Sequence, residues 1–211
     1  MANSSLAALE LTRYSYLNRF ASRGQILFFG STYTEHFPIY ELKQDFEIDK
    51  TIYNRGICGL TLSQAFECLD TCVFQLEPSK LFLNIGEEDL SQGDFSLKDF
   101  ISSYQNLIST IRRRLPKTEI YLISVYPQQD TLLSAAVNES LWKFATQNDC
   151  DFLDMTPYLT DSKGQFRSNC YGENMALLPA AYAEIFRRIR SYFYSQNLSF
   201  GDVWGMINSY K

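Results

Sequence analysis

The chain has 211 residues, 45% of them hydrophobic and 15% aromatic, enough apolar material to fill one sizeable core. Its formal net charge is -5 and its isoelectric point is near 5.0, with no basic run longer than Arg112-Arg113-Arg114. That balance speaks against a nucleic-acid surface, so no DNA or RNA partner is expected.

The first twenty residues, "MANSSLAALELTRYSYLNRF", have neither a basic start nor an uninterrupted apolar stretch, and nowhere do 18 apolar residues run together. A soluble, unexported, cytoplasmic protein without a membrane span is expected. Residues 1–24 read as an N-terminal helix ahead of the main domain. Five cysteines (Cys58, Cys68, Cys72, Cys150, Cys170) form no C-x-x-C pair, and they read as free buried thiols in a reducing compartment.

From residue 25 short apolar runs alternate with helical stretches. "QILFF" (25–29), "TIYN" (51–54), "KLFLNI" (80–85), "EIYLISVY" (119–126) and "DFLDM" (151–155) are continuous rather than alternating, which suits parallel strands covered on both faces. Between them, 61–76, 96–115 and 131–148 carry apolar residues at steps of three and four, and a last long helix is expected near 177–196. In the second of these, Phe100, Tyr104, Leu107, Ile108, Ile111 and Leu115 form one stripe, which Pro116 ends. The order strand, helix, strand, helix predicts a three-layer α/β domain over 25–196 with a five-stranded parallel sheet. Residues 197–211, with Val203, Trp204, Ile207 and Tyr210, read as an amphipathic tail that packs on its own domain or leaves room for a homodimer or protein partner.

In such a sheet the ligand site lies beyond the carboxyl ends of the strands. The residues there are Gly30-Ser31-Thr32, Arg55-Gly56-Ile57-Cys58-Gly59, Gly86-Glu87-Glu88-Asp89 and Pro127-Gln128. None of them makes a glycine-rich phosphate loop, so no nucleotide or other cofactor is expected.

These segments resemble, in order and spacing, the conserved blocks of the SGNH (GDSL) hydrolases, especially the bacterial members similar to platelet-activating-factor acetylhydrolase. "FFGSTYTEHFPIYEL", "NRGICGLT" and "FLNIGEEDL" match the first three blocks, and "LLPAAY" resembles the last. The resemblance covers about residues 25–194 and implies a flavodoxin-like sheet and an esterase or acylhydrolase ancestry. The matches are scaffold positions, whereas the chemical positions differ. The resemblance puts the nucleophile serine on Thr32 and its preceding aspartate on Ser31. It puts the oxyanion asparagine on Glu88, the base histidine on Ala176 and that histidine's aspartate on Glu173. Only the glycine of the second block, Gly59 or Gly56, is kept in kind.

Threonine is a weak nucleophile without an adjacent base. A carboxylate at 88 accepts hydrogen bonds and donates none where negative charge develops. Alanine at 176 removes the base, and the single histidine, His36, lies four residues after Thr32, where an exposed first-turn residue is expected. Cys58, between the glycines of the second block, reads as a small buried residue with no base in view to ionise it. Glu35, Glu87, Glu88, Asp89 and Glu173 would cluster if the family geometry holds and would then suit a hard cation. The plainer reading is that Asp89 makes helix-cap bonds while Glu87 and Glu88 are solvated, with no metal.

The preferred reading is a non-catalytic protein of this fold that binds a small acyl or glycan-like ligand or a protein partner. The alternative is an esterase of low or altered activity using Thr32.

Overall fold

The computed structural model describes residues 2–126, 131–173 and 176–194, with the side chains of 2–6 left aside. The expected segment Pro127-Gln128 and the tail 197–211 lie outside the described residues. Five parallel strands form one sheet: β1 (Ile26–Gly30), β2 (Ile52–Gly56), β3 (Lys80–Asn84), β4 (Glu119–Ile123) and β5 (Asp151–Leu153). Their order is β2-β1-β3-β4-β5, as the α/β reading requires. The helices are α1 (Ala2–Leu17), α2 (Thr32–Glu35), α3 (Ile39–Asp45), α4 (Leu62–Leu69), α5 (Glu87–Leu90), α6 (Leu97–Arg114), α7 (Thr131–Gln147), α8 (Thr156–Leu159) and α9 (Pro179–Ile189).

Successive side chains of a strand point to opposite faces, so each continuous apolar run feeds two cores. Leu27, Phe29, Leu81, Leu83, Ile120 and Leu122 face one layer, which Tyr14 of α1 and the apolar stripes of α4, α6 and α7 complete. Ile26, Phe28, Phe82, Tyr121 and Ile123 face the other, under Ile39 and Leu42 of α3 and the buried side of α9. Register places Phe28 opposite Phe82 and Phe82 opposite Tyr121, and their rings stack with centroids 4.8 and 4.6 Å apart. Each such pair is worth about 0.5–1.5 kcal/mol beyond its area.

The helix expected over 61–76 begins with a capping box. Gln64 Oε1 accepts from Thr61 N at 3.1 Å, and Thr61 Oγ1 accepts from Gln64 N at 3.4 Å. It continues past Leu69 as a π-helical turn, Asp70–Phe74. The stripe of α6 is buried from Phe100 to Ile111, while Leu115 lies just past the helix end and is half-buried. The expected strand 119–126 stops at Ile123 in the ladder. Beyond it the Asn138 side chain takes the place of a neighbouring strand, accepting from Val125 N and donating to Val125 O, both at 2.8 Å. The helix expected near 177–196 is α9 followed by a 3-10 turn, Arg190–Phe193.

The N-terminal helix is tied to the sheet end that carries the second block. Arg55 is buried, donates to Asn18 Oδ1 at 3.1 and 2.9 Å, and lies over the Tyr14 and Tyr53 rings. Tyr14 donates its hydroxyl to Gly56 O at 2.5 Å. Tyr14→Phe should lower stability by about 1–2 kcal/mol, because a buried carbonyl then loses its donor. Urea unfolding measures this, and an unchanged midpoint would show that the bond contributes nothing.

Candidate functional site

In a sheet of order 2-1-3-4-5 the chain leaves the carboxyl ends of neighbouring strands in different directions, and the gap receives ligands. After β1, Ser31 is extended (φ -93°, ψ -150°) and Thr32 opens the single turn of α2. Backbone bonds from Glu35 N to Ser31 O and from His36 N to Thr32 O, both 3.0 Å, hold that turn. Asn54 of β2 then fixes it from outside, donating to Thr34 O at 2.7 Å and accepting from Gly56 N at 2.8 Å. A Cβ on Gly56 would lie 2.2 Å from Glu35 N, so a glycine is what lets α2 seat on the end of β2. This accounts for Asn54 and Gly56 of the second block as scaffold.

Three of the five residues singled out in the sequence meet here, one from the end of each of three adjacent strands. Gly59, at φ +74°, turns its N–H onto Thr32 Oγ1 at 2.9 Å. Thr32 donates its own hydroxyl to Glu88 Oε1 at 2.5 Å, and the Cys58 sulfur lies 3.6 Å from Thr32 Oγ1. The other two, Glu173 and Ala176, are exposed. Backbone bonds hold them in place: Ala176 N donates to Glu173 O at 3.2 Å, and Ala176 O accepts from Gly172 N at 2.8 Å.

Several expectations are corrected. Cys58 is exposed, not buried, because it sits at the tip of the turn after Ile57 takes the inward position. Cys68, Cys72 and Cys170 are buried free thiols as expected, and Cys150 is intermediate. Glu87 is 4% exposed, not solvated. As first residue of α5 it turns inward, where Oε1 accepts from Asn84 Nδ2 and from Tyr126 N, both at 3.1 Å. The carboxylates do not gather around one point: among the described residues no three of His, Cys, Asp and Glu could share a metal ion. Asp89 does make the expected helix-cap bonds, accepting from Leu62 N at the start of α4 at 3.0 and 3.2 Å. His36 is exposed and its Nε2 pairs with Glu35 at 3.0 Å. Its imidazole thus lies against Glu35, and no hydrogen bond to Thr32 is found among the described residues.

Burial pushes the Glu87 carboxyl up to about 7, against hydrogen bonds from its own backbone, from Tyr126 and from Asn84 that lower it. Burial likewise raises Asp89 to about 6, with the Glu88 charge adding to it. The phenols of Tyr126, Tyr171 and Tyr182 are pushed upward, first by burial, and the Glu87 charge adds to each. Tyr33, next to Thr32, lies ring to ring with Tyr126 at 5.1 Å. Among the described residues, the buried Ser31 Oγ, Glu87 Oε2 and Tyr171 Oη have no hydrogen-bond partner.

Sequence reading missed Asn84, Tyr33, Tyr126 and Tyr171. Asn84 ends β3 inside an apolar run and ties that end to Glu87 and to Ser124 O, at 3.1 Å each. A polar residue in an otherwise apolar strand was the available signal. The tyrosines come from three separate segments, and no local spacing links them.

No family model matches the sequence, and no curated protein matches it. Solved structures do match. A Streptococcus pneumoniae protein assigned as a platelet activating factor superimposes with a TM-score of 0.81 at 27% identity, over 90% of this chain and 94% of that one. A GDSL-like lipase from Bacteroides thetaiotaomicron does so with a TM-score of 0.75 at 16% identity, over 87% and 96%. An acetylxylan esterase, Axe2 of Geobacillus stearothermophilus, gives 0.66 at 13% identity, over 85% and 98%. The last two likenesses carry the fold alone. Five parallel strands in this order, flanked by helices and ending in these three turns, make the chain an SGNH/GDSL-hydrolase-like protein.

Proposed function

We propose that this SGNH/GDSL-like protein binds a ligand at the ends of β1, β2 and β3 without hydrolysing it. The observation that carries the reading is the Thr32–Glu88 hydrogen bond, which commits the hydroxyl to a carboxylate at the position of the oxyanion donor. An ionised carboxylate there repels the negative charge of a tetrahedral intermediate. Loss of one donor alone costs about a hundredfold to a thousandfold in rate. Ala176, at the base position, has no titratable group, and His36 Nε2 lies 3.0 Å from Glu35. The free thiols agree with a reducing, cytoplasmic setting, which goes with this proposal. Among the described residues no helix is long and apolar enough to cross a membrane.

The same bond favours the second reading, an altered esterase in which Glu88 takes the Thr32 proton as base. Among the described residues no third group orients Glu88 as a base towards Thr32, so we rank this reading lower. Turnover of p-nitrophenyl acetate by the unaltered protein, Thr32→Ala and Glu88→Gln separates the two. Equal rates at background level are expected. A drop of a hundredfold or more in Thr32→Ala would replace binding by hydrolysis.

A further inference from the structure

Helix α1 carries two stripes on opposite sides, and its own domain covers one of them. Ala7, Leu11 and Tyr14 pack on the core, and Asn18, one turn on, donates to Thr71 O at 2.8 Å. Leu9, Arg13, Tyr16 and Phe20 repeat that 4-3-4 spacing two residues later, which on a helix of 3.6 residues per turn sets them about 160° away from the core side. Phe20 ends a 3-10 turn, Asn18–Phe20, that continues α1. Exposure follows the spacing: Leu9 is 64% exposed, Tyr16 57% and Phe20 87%, with Leu17 beside them at 42%. Of the eight large hydrophobic side chains exposed among the described residues, these are four. Single exposed apolar residues are ordinary, whereas several in register along one helix mark a contact surface.

The order of residues in the outer stripe bears on what covers it. Its spacing is the same from either end, so two antiparallel copies of α1 about a two-fold axis put Leu9 opposite Phe20 of the second copy and Arg13 opposite its Tyr16. Both contacts are favourable, apolar on apolar and cation on aromatic ring, and the symmetry makes each twice. A parallel pair would instead set Arg13 against Arg13, like charge on like. Glu10, 3.0 Å from Arg13, and Arg19, 4.8 Å from the Tyr16 ring centroid, flank the stripe as a polar rim. We propose that the chain pairs with a second copy of itself through this outer face of α1, antiparallel, with Leu9 against Phe20 and Arg13 against Tyr16. The stripe is about 17 Å long, which makes a contact at the small end of specific interfaces and hence a weak dimer. The Tyr14–Gly56 bond lies on the core side of α1 and stays intact.

Sedimentation equilibrium over a concentration series is the test. The unaltered protein should move from 24.4 kDa towards twice that mass, with a dissociation constant between about 1 µM and 1 mM. Leu9→Glu and Phe20→Lys, both at exposed positions, should each weaken association about tenfold or more, with the circular dichroism spectrum unchanged. Mixed in equal amounts, the two variants should bind each other about tenfold or more tighter than either binds itself, because antiparallel pairing brings the two new opposite charges face to face and leaves one Leu9–Phe20 contact whole. A monomer at every concentration up to about 1 mM overturns the proposal, and so does a dimer that neither variant weakens. Failure of the mixture to recover overturns it too. A parallel pair, or residues 197–211 of one chain seated on α1 of the other, would give that last result.

Discussion

Replacing five residues together, Ser31→Asp, Thr32→Ser, Glu88→Asn, Glu173→Asp and Ala176→His, should make the protein hydrolyse p-nitrophenyl acetate about 10⁴-fold faster than the unaltered chain. Glu88→Asn turns an acceptor into a donor beside Thr32 Oγ1, in a site where Gly59 N–H already points at the same oxygen. One such donor is worth about a hundredfold to a thousandfold. A histidine at 176 supplies general-base catalysis, worth about a hundredfold to ten-thousandfold. Position 176 is exposed, so the larger side chain has room. Because nucleophile, base and orienting acid act as a unit, no single replacement should raise the rate appreciably. The measurement is initial rate against enzyme concentration, with circular dichroism to confirm the fold. An inactive but folded variant would mean that the wall of the site, and not only its five residues, has departed from a hydrolase.

Glu87→Gln should stabilise the protein by on the order of 3 kcal/mol at pH 8 and leave it nearly unchanged at pH 4. The Glu87 carboxyl is raised from 4.5 in the unfolded chain to about 7 in the fold, chiefly by burial. Each tenfold difference in proton affinity between the two states corresponds to about 1.4 kcal/mol. A raised acid means that the folded state holds the proton more tightly between pH 4.5 and 7, so stability falls with rising pH across that window. Above 7 both states are ionised and the loss is complete. Glutamine cannot ionise and keeps an oxygen for the Asn84 and Tyr126 donors. The difference between the two urea-unfolding curves should therefore grow from pH 4.5 to 7 and then level off. Parallel curves across the range would show that Glu87 does not carry this proton. Asp89, raised in the same direction to about 6, slopes both proteins alike and cancels in the difference.

The sheet and its helices were legible because their cause is local. Continuous runs such as "ILFF" and "LFL" have period-two partition built in, so covering both faces follows from the run itself. The α6 stripe and the Thr61 capping box are likewise short-range patterns. What failed was orientation at single positions. Glu87 and Glu88 are neighbours of identical type, yet one is buried against Asn84 and Tyr126 and the other reaches Thr32. A helix sets adjacent residues about 100° apart, so which of them faces inward depends on what stands opposite. Cys58 was misplaced for the same reason, since a turn exposes its tip whatever residue occupies it.

The amino-acid sequence by itself determined the layers, the strand-end turns and the identity of the residues at the chemical positions, because these depend on periodicity and order along the chain. It also determined that no histidine stands near residue 176. Tertiary structure alone decided that Thr32, Gly59 and Glu88 share hydrogen bonds, since they arrive from three strands whose adjacency is a property of the sheet. It also decided that Glu87 is held in a setting of tyrosines drawn from separate segments, with one carboxyl oxygen left unpaired. Burial is a sum over everything packed around a group, and that sum exists only once the chain has closed on itself.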